Sequence, residues 1–99
     1  MNAFGLPQTE LDLIRGVLKR HPQVTAALLF GSRAKGTATA ASDIDLAVEG
    51  ITEPLQAEAI ASELDELPLP YHFDLVALST IKSSQLRDHI ARVGVRIYG

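Results

Sequence analysis

The chain has 99 residues, a net charge of −3, 46% apolar residues and no cysteine. A chain of that length buries about 60–70% of its unfolded surface, so one modest core is expected over residues 1–99 and no second domain. The acidic balance argues against a broad nucleic-acid face, and the missing cysteines rule out disulfides and thiolate metal sites. With neither a membrane-length apolar run nor a basic leader, a cytoplasmic protein is expected.

Residues 1–8, with Gly5 and Pro7, read as a loose lead-in. Thr9 and Asp12 have capping-box spacing, with Asp in place of the usual Glu, ahead of a helical stripe of Leu11, Ile14, Val17 and Leu18. Pro22 ends that helix. Val24 to Phe30 reads as a buried strand running into Gly31-Ser32. A short helical turn at Arg33 to Lys35, stopped by Gly36, leads into an Ala/Thr/Ser loop. A second strand covers Ile44 to Val48. Pro54 suits the first turn of a second long helix, whose expected apolar face is Leu55, Ala59, Ile60 and Leu64. Tyr71 to Leu78 reads as a third strand. Ser83 or Ser84 caps a last helix with Leu86, Ile90 and Val93 inward, and Val95 to Tyr98 is a terminal strand or arm. The order αβαβαβ predicts an α/β (α+β) fold, a small mixed sheet flanked by helices.

The chemistry concentrates in residues 30–46, Phe-Gly-Ser-Arg-Ala-Lys-Gly-Thr-Ala-Thr-Ala-Ala-Ser-Asp-Ile-Asp-Leu. A Gly-Ser turn leaving a strand can present backbone N–H groups and a hydroxyl to a phosphate. Strand periodicity puts Asp43 and Asp45 on one face and Ile44, Leu46 and Val48 on the other. Adjacent carboxylates raise each other's pKa unless something positive lies between them, and Mg²⁺ commonly binds through one or two carboxylates plus substrate phosphates. Asp74 interrupts the apolar run Phe73-Asp74-Leu75-Val76, where a buried carboxylate would need a partner or a metal. If the third strand neighbours the second, the three carboxylates converge. Arg33 and Lys35 are surface charges unless a triphosphate lies beside them, when they become counter-charges. His72 shares the Asp74 side of a regular strand, though a structural histidine is as good a reading.

These motifs together resemble the nucleotidyltransferase superfamily that includes DNA polymerase β. Within it, Phe-Gly-Ser-Arg-Ala-Lys-Gly, Ser-Asp-Ile-Asp-Leu-Ala-Val and Phe73-Asp74-Leu75-Val76 look like the minimal nucleotidyltransferase (MNT) group, often paired with a helical HEPN-domain toxin. The resemblance covers residues 10–99. It implies that Asp43, Asp45 and Asp74 are catalytic and hold Mg²⁺, two ions being expected. It implies that Gly31, Ser32, Arg33 and Lys35 bind ATP. The implied activity is transfer of AMP to a hydroxyl, a tyrosine of a cognate HEPN toxin, so that the chain is an antitoxin. Two other readings stay open: a small-molecule transferase of the aminoglycoside type needing a partner subunit, and a non-catalytic antitoxin acting by binding. Arg15 and His21 imitate the HEPN Arg-x₅-His spacing but straddle a helix end, and are read as coincidence.

Overall fold

A computed structural model describes residues 6–31 and 43–99. The first helix, α1, spans Gln8–Lys19 and buries Leu11, Ile14, Val17 and Leu18, the stripe that the periodicity predicts. Its start differs from the capping-box expectation. Pro7 is the N-cap, with φ −61 and no side-chain cap bond; its carbonyl accepts from the Glu10 and Leu11 amides at 3.0 and 3.1 Å. Thr9 therefore lies inside the helix. Asp12 instead accepts from Gln8 Nε2 at 3.0 Å and faces Arg15 at 3.8 Å.

The strands are β1 (Ala26–Phe30), β2 (Ile44–Glu49), β3 (Phe73–Ala77) and β4 (Val95–Tyr98), in the order β3-β2-β1-β4. β1 is antiparallel to β2 and β4, while β2 and β3 are parallel. A parallel pair needs a long crossover, here supplied by α2, Pro54–Asp65. The C-terminal stretch that the sequence left as strand or arm is a strand on the outer side of β1. The third helix, α3, spans Ser84–Val93 and follows a 3₁₀ turn at Leu78–Thr80. Among the described residues, then, three α-helices and a four-stranded mixed sheet make an α+β fold, and no helix is long and apolar enough to cross a membrane.

The sheet buries both faces unequally. Ile44, Leu46 and Val48 of β2 pack with Ala27 and Leu29 of β1 and Phe73 and Ala77 of β3 against α1 and α2. On the other face Ala47, Ile81 and Ile90 form a smaller cluster, to which Leu28, Phe30 and Val76 are added. Two helix faces differ from expectation. In α2 the buried residues are Ile60 and Leu64 with Ala57 beside them, whereas Leu55 is 76% exposed and Ala59 points to solvent. In α3 only Ile90 is buried and Leu86 is 37% exposed. In both helices fewer positions are buried than the predicted stripe contains.

Gly50 follows β2 with φ +97, and a Cβ there would overlap the Gln23 carbonyl oxygen, so the turn from β2 toward α2, packed against the α1–β1 loop, requires glycine. The C-terminal end of α1 is tied to α2 through Glu63, which meets Arg20 at 3.1 Å and His21 Nε2 at 2.5 Å. Arg15 donates from Nε to the Ile97 carbonyl at 2.6 Å. Both members of the Arg-x₅-His pair are thus occupied in holding the fold. At the start of α3, Ser83 Oγ accepts from the Leu86 amide at 3.2 Å, the predicted cap. Ser83→Ala should lower stability by about 0.5–2 kcal/mol in urea unfolding. An unchanged midpoint would mean that water replaces this cap without cost.

Candidate functional site

The parallel register sets Asp45 of β2 directly beside Asp74 of β3, and the antiparallel register sets Phe30 of β1 opposite Asp45 on its other side. Asp43 precedes β2 by one residue, so it shares the Asp45 face. The expected neighbourhood of the second and third strands is therefore present, and the three acids meet at one end of the sheet. They lie on the face whose middle is covered by Ile81 and Ile90. Asp43 and Asp74 are exposed and Asp45 is half-buried. The exposure of Asp74 corrects the expectation of a buried carboxylate within an apolar strand. β3 lies at the sheet edge, where its Asp74 side chain reaches water.

Burial, followed by the charges of Asp74 and Asp43, raises the Asp45 carboxyl above its ordinary pKa. Among the described residues no lysine or arginine pairs with any of the three acids. Gly31 explains part of the crowding. Its φ is +75, and a Cβ at this position would overlap Asp45 Oδ2. The chain thus leaves β1 with its backbone against the Asp45 carboxylate, a conformation and a clearance that only glycine combines without strain. Sequence reasoning placed Gly31 as a phosphate neighbour but missed its contact with Asp45 and the position of Phe30. Both depend on the β1–β2 register, which motif spacing does not encode.

Ser32, Arg33 and Lys35, together with the expected turn, Gly36 and Ser42, lie outside the described residues. His72 is exposed and precedes β3; its carbonyl accepts from the Ile44 amide at 2.9 Å, so its backbone fixes the β2–β3 phase. Tyr71 also precedes β3 and donates its hydroxyl to Glu10 Oε1 at 2.6 Å.

The acids suit a hard divalent cation by their chemistry: oxygen donors only, clustered like charges and a carboxyl destabilised as an anion. Among the described residues no three such side chains close into a full ligand group. Among the described residues the cluster is an open, one-sided oxygen surface, which suits an ion that takes its remaining ligands from substrate phosphates and water.

Residues 12–99 match the family described as polymerase beta, nucleotidyltransferase. A comparison with curated proteins returns no match. Among solved structures, a toxin–antitoxin complex with AMP-PNP contains a chain of TM-score 0.74 and 25% identity, the match covering 90% of this chain and 73% of that one. A chain of the MntA–HepT toxin–antitoxin follows, with TM-score 0.72 and 24% identity over 94% of this chain and 73% of that one. A chain in the complex of a tri-AMPylated Shewanella oneidensis HEPN toxin with its MNT antitoxin has TM-score 0.72 and 24% identity over 93% and 71%. With its carboxylates gathered beside the β1 turn, and with the family match running from α1 to the last residue of β4 and beyond, the chain belongs to the polymerase β nucleotidyltransferase family.

Proposed function

We propose that the protein is an Mg²⁺-dependent adenylyltransferase that moves AMP from ATP to a tyrosine of a HEPN toxin and thereby acts as its antitoxin in the cytoplasm. The observation that carries this reading is the alignment of Asp45 with Asp74, with Gly31 against the Asp45 carboxylate, in a chain of this family. The fold neighbours support the donor and the partner: one was crystallised with AMP-PNP and another with an AMPylated HEPN toxin. Residues 1–99 form one nucleotidyltransferase domain, and the expected lead-in is shorter than eight residues, because Leu6 is buried in the core and Pro7 caps α1.

Asp43, Asp45 and Asp74 would hold one or two Mg²⁺ ions, which supply charge neutralisation at the phosphates when bound. Ser32 donates its hydroxyl to the β- or γ-phosphate, and Gly31 lets the backbone approach the triphosphate. Arg33 and Lys35 supply counter-charge there. The tyrosine oxygen attacks the α-phosphorus, the bond from that phosphorus to the bridging oxygen breaks, and pyrophosphate leaves. Asp74, exposed at the sheet edge, accepts the hydroxyl proton.

The test is co-expression with a HEPN toxin, sought in the neighbouring reading frames, followed by intact-mass spectrometry. One or more AMP increments on tyrosine are expected, and Asp43→Asn should remove them. An unmodified toxin that is still neutralised by Asp43→Asn would overturn the enzymatic reading in favour of inhibition by contact.

A further inference from the structure

β3 is an edge strand. The Ile44 amide donates to the His72 carbonyl, and that bond sets the phase of the parallel ladder. The N–H and C=O groups of residues 72, 74 and 76 turn toward β2, and those of 73, 75 and 77 turn outward. Among the described residues nothing pairs with the outward N–H and C=O of Leu75. Parallel sheets are usually covered on their faces, and open edges invite a further strand.

This edge is not flat. It is the floor of a groove of about 510 Å³. Pro54, Ala57 and Ala61 of α2 form one wall, and Ile81 and Leu86 form the other. Glu58 and Lys82 also line it, on the α2 side and the α3 side respectively. The groove begins one residue from the acidic site, because Asp74 directly precedes Leu75 in the floor strand.

We propose that this groove receives the acceptor polypeptide as an added extended strand, with the tyrosine to be modified at the Asp74 end. The inference rests on the transferase reading above and names how that reading's substrate is held. An added strand would pair its backbone with Leu75 and send alternate side chains to the α2 wall and the α3 wall. Small and branched apolar side chains suit both walls. A basic residue on the α2 side would meet Glu58, and an acidic one on the α3 side would meet Lys82. A residue beside Asp74 on the added strand projects from the same face as Asp74, within reach of a side chain as long as tyrosine.

The experiment uses the full chain and the HEPN toxin that the co-expression test identifies. Leu86→Arg fills the α3 wall from an exposed position. Leu75→Pro removes the outward amide, which an edge strand tolerates. Each should raise KM for the toxin about tenfold or more, the effect of losing roughly one such interaction, with unchanged affinity for AMP-PNP. Hydrogen exchange at the Leu75 amide should slow about tenfold or more when toxin is added. If Leu75→Pro fails to fold, Leu86→Arg and the exchange measurement decide. An unchanged KM with no protection of Leu75 overturns the docking and leaves the transferase standing. If the native chain modifies no toxin, the transferase reading falls, and protection of Leu75 by the toxin still decides whether the edge takes a strand. Protection that appears in the chain alone and grows with its concentration overturns the proposal in favour of a second copy.

Discussion

Asp45→Asn should lose transfer activity almost completely while melting no lower than the native chain in a chelator. The activity loss should exceed the roughly 10–100-fold that follows removal of a metal ligand's supporting partner, because the ligand itself is removed. The stability result follows from the raised pKa. Unfolded, the Asp45 carboxyl loses its proton near its ordinary value of 3.8; folded, it holds the proton to higher pH, because burial and the charges of Asp74 and Asp43 oppose the anion. Above 3.8 the native state therefore binds more protons than the unfolded one, and stability falls as pH rises through that window. At neutral pH the ionised side chain is a net cost to the fold, and Asn relieves it. Melts in chelator at neutral pH should rise or stay level for the variant, and its stability should lose part of the native decline with pH. Full transfer by Asp45→Asn would end the metal-ligand assignment. A large drop in melting would show that the carboxylate supports the fold.

Leu46→Ala should destabilise the protein by about 2–5 kcal/mol. Leu46 is fully buried in β2, and its register neighbours are Leu29 in β1 and Leu75 in β3. A strand held on both sides by backbone pairing cannot collapse into the space that a lost isobutyl group leaves, so the cavity cost adds to the transfer cost. Leu55→Ala is the control. Its side chain is 76% exposed, and a change of within about ±0.5 kcal/mol is expected. Urea midpoints at constant m-value measure both. Equal effects would mean that Leu55 packs against something in solution.

The two leucines also show what the sequence could and could not disclose. α1 was legible because its apolar residues recur at helical spacing and all four of them are buried. Leu55 and Leu86 obey the same spacing in α2 and α3 and yet are not buried: Leu55 reaches solvent and Leu86 lines the open groove over β3. Periodicity gives an angle around a helix axis but not which positions along that stripe a neighbouring element covers. Thr9 failed for a related reason: Pro7 holds the first turn through its carbonyl, and the preset φ of proline displaced the side-chain cap. The pairing of Asp45 with Asp74 was readable only as a condition, because it depends on which strands are neighbours. Gly31 was readable as a glycine needed at a turn, and not as the residue against which Asp45 rests.

The outer position of β4 bears on how the molecule assembles. β4 pairs with β1 from almost the opposite end of the chain, and the Arg15–Ile97 bond closes a sequence separation of 82 residues. Until residues 95–98 arrive, β1 presents an unpaired edge, and its AALLF sequence has no charge to discourage association. Closure over so long a loop costs entropy before it returns any contact energy, which slows folding. The β1–β2 hairpin and the β2–α2–β3 crossover can form from shorter segments. A nascent or partly unfolded chain is thus most prone to aggregate while β4 is detached, and a ribosome or chaperone that shields β1 during that interval would raise the yield of native protein.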